Sequence, residues 1–114
     1  MAEQRGRVRA VLVGSVDASL RALLEDVLEI EFVNAEHRPD LVFAIVGLRD
    51  AFRVLAAAQE AARQRAPIVA ILPIADERLS RRALLAGARF CWPLDGSLHS
   101  LRAALARVIP TLNQ

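Results

Sequence analysis

From Arg38 to Asp50 the chain reads Arg-Pro-Asp-Leu-Val-Phe-Ala-Ile-Val-Gly-Leu-Arg-Asp. Leu41–Val46 is a run of six apolar residues without polar alternation, opening behind Pro39 and closing at Gly47. A half-buried strand alternates apolar with polar residues, and an amphipathic helix brings polar residues back every third or fourth position; this run does neither. It suits a strand buried on both faces, and so a parallel sheet covered by helices on each side. Open α/β sheets place their ligands beyond the C-terminal ends of such strands. Here that end carries Ile45, Val46 and Gly47, with no acid, nucleophile or metal ligand among them.

A sheet of this kind needs a core, and the composition supplies one. The 114 residues are 54% hydrophobic and 25% charged, the balance of one globular domain spanning 1–114. The sequence pI near 9.9 looks strongly basic, but the net charge is only +2, because all 15 basic residues are arginines facing 13 acids. No direct nucleic-acid contact follows from that charge. Cys91 is the lone cysteine, which excludes an intramolecular disulfide and argues against a zinc cluster. The first apolar run, Val8–Val13, is short and interrupted by Arg9, so it reads as a strand and not as a signal peptide or membrane span. The cytoplasm is the expected location.

Taken in order, Val8–Val13 ends at Gly14-Ser15, a strand and its turn. Ser15 or Asp17 can cap a helix running to about Glu29, with Leu20, Leu23, Leu24, Val27 and Leu28 on one stripe. Ile30–Asn34 is a second short strand, and Ala35–Arg38 a connection to the central strand. An alanine-rich helix follows over Ala51–Arg65, with Phe52, Leu55, Ala58 and Ala62 lining one face. Ile68–Leu72 is a fourth, buried strand. The next helix begins near Asp76, packs through Leu79, Ala83 and Ala86, and stops at Gly87. Arg89–Trp92 is a fifth strand, and Asp95 or Ser97 caps a last helix with Leu98, Leu101, Leu105 and Val108 inward. Strands alternating with helices imply a parallel sheet.

In this order and spacing the chain resembles the receiver domain of bacterial response regulators, the modules of two-component signalling. The likeness is carried by Val11-Leu12-Val13 leading to Leu20–Leu24, by Pro39-Asp40-Leu41-Val42, by Pro67-Ile68-Val69, by Ala83–Ala88, and by Pro93-Leu94-Asp95. It implies a flavodoxin-like five-stranded parallel sheet of order 2-1-3-4-5. Receivers place a helix between the second and third strands, whereas this chain offers only about Ala35–Arg38 there. Roughly six extended residues reach about 20 Å, barely enough to run back along a strand and cross its neighbour. A lost or vestigial helix is expected, leaving one sheet face thinly covered. A reversed or displaced second strand is the alternative.

Receiver chemistry is phosphoryl transfer to an aspartate beside a Mg²⁺ held by carboxylates, since a hard cation takes oxygen ligands. The resemblance sets the metal-binding acids on Ser15 and Val16, the phospho-acceptor on Ile45 and the hydroxyl on Leu72. The family's lysine has no counterpart in a chain without lysine. The site is therefore degenerate at every position, and Ile45 is expected to be core, closed over by Val13 and Leu72. No cofactor, metal or enzymatic activity is expected. The implied role is a phosphorylation-independent (pseudo-)receiver: a regulatory protein–protein interaction module, expected as part of a longer regulator, acting on a protein partner or its own effector domain. The alternative is a flavodoxin-like small-molecule or nucleotide-binding domain using the Gly14–Ala18 turn, although that turn lacks the glycine spacing of a phosphate loop.

His37 and His99 read as solvent-facing, and Cys91 as a small buried residue. Leu85 falls off the core face of its helix, ringed by Arg81, Arg82, Arg89 and Arg102, and Trp92 ends the edge strand. Together these mark a candidate partner surface, with Asp76 and Glu77 able to pair across a two-fold axis of a homodimer. Core packing under the sheet rim is the equal alternative for Leu85 and Trp92.

Overall fold

The computed structural model describes residues 8–15, 18–28, 30–34, 38–63, 65–73, 75–94 and 96–108. Its elements run β1 (Val8–Val13), α1 (Ala18–Leu28), β2 (Ile30–Phe32), β3 (Leu41–Ile45), α2 (Ala51–Ala62), β4 (Ile68–Leu72), α3 (Glu77–Leu85), β5 (Ala88–Pro93) and α4 (Leu98–Val108). The strands form one parallel sheet of order β2-β1-β3-β4-β5. β3 and β4 are buried along their whole length, as unalternated apolar runs require. Successive side chains point to opposite faces of a strand, so each run feeds two cores. Val42, Ala44 and Val46 pack under α2 and α3, while Leu41, Phe43 and Ile45 share the other face with Leu24, Leu101 and Leu105.

The helix ends follow their caps. Asp76 accepts from the backbone N–H groups of Arg78 and Leu79 at 2.8 and 3.1 Å, which starts α3. Gly87, at φ +111°, provides the left-handed residue after it. Ser97 Oγ accepts from the Ser100 N–H at 3.0 Å and starts α4. Asp17 and Asp95, the other candidate caps, lie outside the described residues, as do Val16 and His37. α2 stops short of Arg65: Arg63 turns left-handed at φ +51°, and its N–H returns to Gln59 O at 3.2 Å. Phe52 is not on the packed face of α2. It is 82% exposed, because the buried stripe runs through Ala51, Val54, Leu55, Ala58, Ala61 and Ala62.

The passage from β2 to β3 contains no helix among the described residues, and β2 pairs parallel to β1, neither reversed nor displaced. The crossover is also shorter than a return along a full strand. Ala10 stands opposite Phe32, the last residue of β2, and also opposite Leu41, the first residue of β3. β2 therefore ends level with the start of β3, and the chain need only cross β1 sideways, about 10 Å at the usual strand spacing. Both ends of the crossing are pinned to β1: Val33 N–H donates to Ala10 O and Asp40 N–H to Arg9 O, each at 2.8 Å. The Asp40 carboxylate accepts from the Arg9 N–H at 3.0 Å, closing the second contact. A groove of about 650 Å³ lies beside α2, floored by Val11 and Val13 and walled by Val33, Ala57 and Ala61, on the side where no helix precedes β3 among the described residues.

Candidate functional site

The sheet ends that would carry chemistry are those of β1, β3 and β4. Ile45 is 8% exposed and belongs to the core with Leu12, Phe43 and Ile71. Val13 and Leu72, expected to close over it, pack on the opposite face of the sheet. The reason is register: Val13 pairs with Ala44 and Ile45 with Ile71, which sets the neighbours of Ile45 one residue away from those chosen by position alone. Gly14 does the covering. A Cβ placed there would stand 2.8 Å from Ile45 O and 3.1 Å from Ile45 Cβ, so the bare backbone of Gly14 rests directly on Ile45.

Ser15 is exposed, and Leu72 is buried with its carbonyl accepting from the Leu94 N–H at 2.8 Å. The loop after β5 is thereby tied across the end of β4. Asp50 is exposed at the N-terminus of α2 beside Gly47. No cluster of three or more His, Cys, Asp or Glu side chains able to hold a metal occurs among the described residues. Cys91 is half-buried, its Sγ lying 3.6 Å from Ser80 O, and burial pushes its thiol pKa up. It remains protonated and a weak nucleophile.

The second candidate is the outer face of α3. Leu85 is 83% exposed and Leu84 49% exposed, with exposed Arg81 and Arg82 on the same helix. Arg89 is exposed at the start of β5. Arg102 is exposed too, but on α4, which covers the other face of the sheet, so the structure does not bring it into this patch. Trp92 does not join them. It is 5% exposed, packed with Leu101 and Leu105, and its Nε1–H donates to Ser97 O at 3.1 Å. The N-terminus of α4 closes over the indole, and Gly96 makes room: a Cβ there would come within 3.0 Å of Trp92 Nε1. The Asp76 carboxylate is likewise engaged as the α3 cap, which leaves Glu77 as the free acid of that turn. Leu84 and Leu48 (65% exposed) are exposed apolar residues that sequence periodicity did not single out, and Phe52, read there as part of a packed face, is exposed as well.

No family model matches the sequence, and no curated protein matches it. Solved structures do, and 56 chains match. A response regulator receiver domain protein (CheY-like) from Methanospirillum hungatei superposes with a TM-score of 0.73 at 16% identity, over 94% of this chain and 97% of that one. A two-component response regulator from Clostridium difficile gives 0.71 at 18% identity, over 95% and 100%. A response regulator protein from Burkholderia pseudomallei, solved with a phosphorylated aspartic acid and a calcium ion, gives 0.65 at 14% identity, over 94% of this chain and 69% of that one. At such identities the likeness is one of fold: this chain has the fold of a response-regulator receiver domain.

Proposed function

We propose that this receiver fold serves as a signalling module that works by protein contact and without accepting a phosphoryl group. The observation that carries the reading is Ile45, buried under Gly14 at the position where the resemblance sets the phospho-acceptor. An alkyl side chain has no nucleophile, and no group of three or more His, Cys, Asp or Glu side chains able to hold Mg²⁺ occurs among the described residues. On this reading the domain is not an enzyme, resides in the cytoplasm and acts on a protein partner or its own effector domain. Incubation with acetyl phosphate and Mg²⁺ should leave the intact mass unchanged; a stable aspartyl phosphate adduct would overturn the reading.

Any contact is then constitutive or controlled by the partner, and the outer face of α3 is where it is placed. Leu84 and Leu85 are the apolar centre, and Arg81, Arg82 and Glu77 a mixed-charge rim that a two-fold axis can make self-complementary. Rim charges set register and association rate, while the apolar centre supplies most of the affinity. Leu85→Glu should weaken a homodimer by about thirtyfold or more, the size of an interface hot spot, with an unchanged circular dichroism spectrum. Light scattering reads the outcome: a parent that is monomeric at high concentration, or a variant that stays dimeric, removes this surface.

A second reading draws on the groove beside α2, whose volume lies within the usual range for small-molecule pockets. Of the described residues of the Gly14–Ala18 turn, only Gly14 lines it. A ligand that binds the folded state alone must raise its stability, so a melting-temperature increase with nucleotides or flavins would favour this reading over the first.

A further inference from the structure

At the opposite end of the sheet from Ile45, a pocket of about 440 Å³ opens between the C-terminal ends of α2 and α3. Its floor is apolar, made by Ala66, Pro67 and Ile68, and among the described residues its charged lining is Arg65 and Arg89, with no acid. Both arginines are exposed, and neither is paired with a described carboxylate, the one ion pair among the described residues being Arg21–Glu25. Two unpaired cations over an apolar floor form an anion's complement.

The competing explanation is that the arginines neutralise the negative ends of the two helices. Each helix end is worth about half an elementary charge, so two whole guanidinium charges exceed what both ends supply. Several of the end carbonyls are moreover already taken. Ala62 O accepts from the Arg65 and Ala66 N–H groups at 3.0 and 3.1 Å, and Leu84 O from the Gly87 N–H at 3.1 Å. Ala86 O accepts from Gln59 Nε2 at 2.6 Å. The pocket thus keeps a surplus of positive charge and donors. Gly87 leaves the rim open, since a Cβ there would meet nothing within 4 Å.

We propose that this pocket binds an anionic group of a small molecule, a carboxylate or a phosphate, between the guanidinium groups of Arg65 and Arg89. Guanidinium pairs oxyanions through parallel N–H···O bonds, for which a point charge is no substitute. An apolar part of the ligand would lie over Pro67 and Ile68. The turn that walls the pocket, Ala86-Gly87, directly follows Leu84 and Leu85.

Amide shifts of Ala66, Gly87 and Arg89 test the site by NMR during titration with inorganic phosphate and, separately, with butyrate, at ionic strength matched with sodium chloride. Saturation on the order of 1 mM by either anion, confined to this pocket, is the expected result, and the anion that saturates identifies the ligand's charged group. Arg65→Gln and Arg89→Gln should each weaken binding about tenfold or more, while Arg102→Gln on α4 leaves it unchanged. Circular dichroism checks that the variants stay folded. The site is ruled out if neither anion saturates at ten times that concentration, or if the doubly substituted protein binds as the parent does.

Discussion

Ile45→Asp should cost the domain about 3–5 kcal/mol, a large share of the stability of a chain of this size. Removing the isoleucine gives up about 2 kcal/mol of apolar burial. The introduced carboxyl replaces it among Leu12, Phe43 and Ile71, where no polar partner waits. Its pKa in the folded chain must lie above the unfolded value, since burial disfavours the charged form. The destabilisation is therefore greatest above the folded pKa and shrinks as pH falls towards the ordinary carboxylate range. Urea unfolding near neutral and at mildly acidic pH measures both the size and the sign. A variant as stable as the parent at neutral pH would mean that the end of β3 is an open pocket and that the site reading is wrong.

Gly14→Ala is the second large effect, expected at about 2–4 kcal/mol. Gly14 holds φ +107°, a conformation that a residue with a Cβ rarely adopts. The new methyl would also stand 2.8 Å from Ile45 O, a backbone atom fixed within the sheet and unable to swing aside. Strain and collision act together, so β1 and β3 must separate at their C-terminal ends. Denaturant unfolding gives the loss, and hydrogen exchange at Ile45 and Val46 should rise locally even where the fold survives. Unchanged stability would show that Gly14 does not seal the end of the sheet, and with it would fall the explanation for the burial of Ile45.

The two variants also mark how far residue patterns could reach. The run Leu41–Val46 announced a strand buried on both faces, and β3 is that strand. Its burial is a local property, since a stretch with no polar face has nowhere else to go. The identity of the residue resting on Ile45 is not local. It depends on the register of β1 against β3, which places Val13 beside Ala44, and no pattern within either strand states that pairing. In the sequence Gly14 reads only as part of the turn after β1; its lack of a side chain is what lets its backbone rest on Ile45. Of the two readings open for Trp92, core packing is the one the structure takes, whereas Phe52 departs from its reading as a packed residue. A tryptophan at the end of an edge strand is buried because α4 closes over it, while a phenylalanine in an apolar helix is exposed because the packed stripe passes beside it.

Element order and the shortness of the connection before β3, which holds no helix among the described residues, were legible in the chain, because they depend on which residues are present and how far apart they stand. A helix needs residues to build it. The geometry of the shortened crossover belonged to the tertiary structure. Only when β2 ends opposite the same Ala10 where β3 begins does the connection become a sideways step across one strand. The groove beside α2 and the arginine pocket at the far end of the sheet arise in the same way. Each joins residues from elements distant in sequence, and such a meeting is decided by packing and register, not by any stretch of the chain read alone.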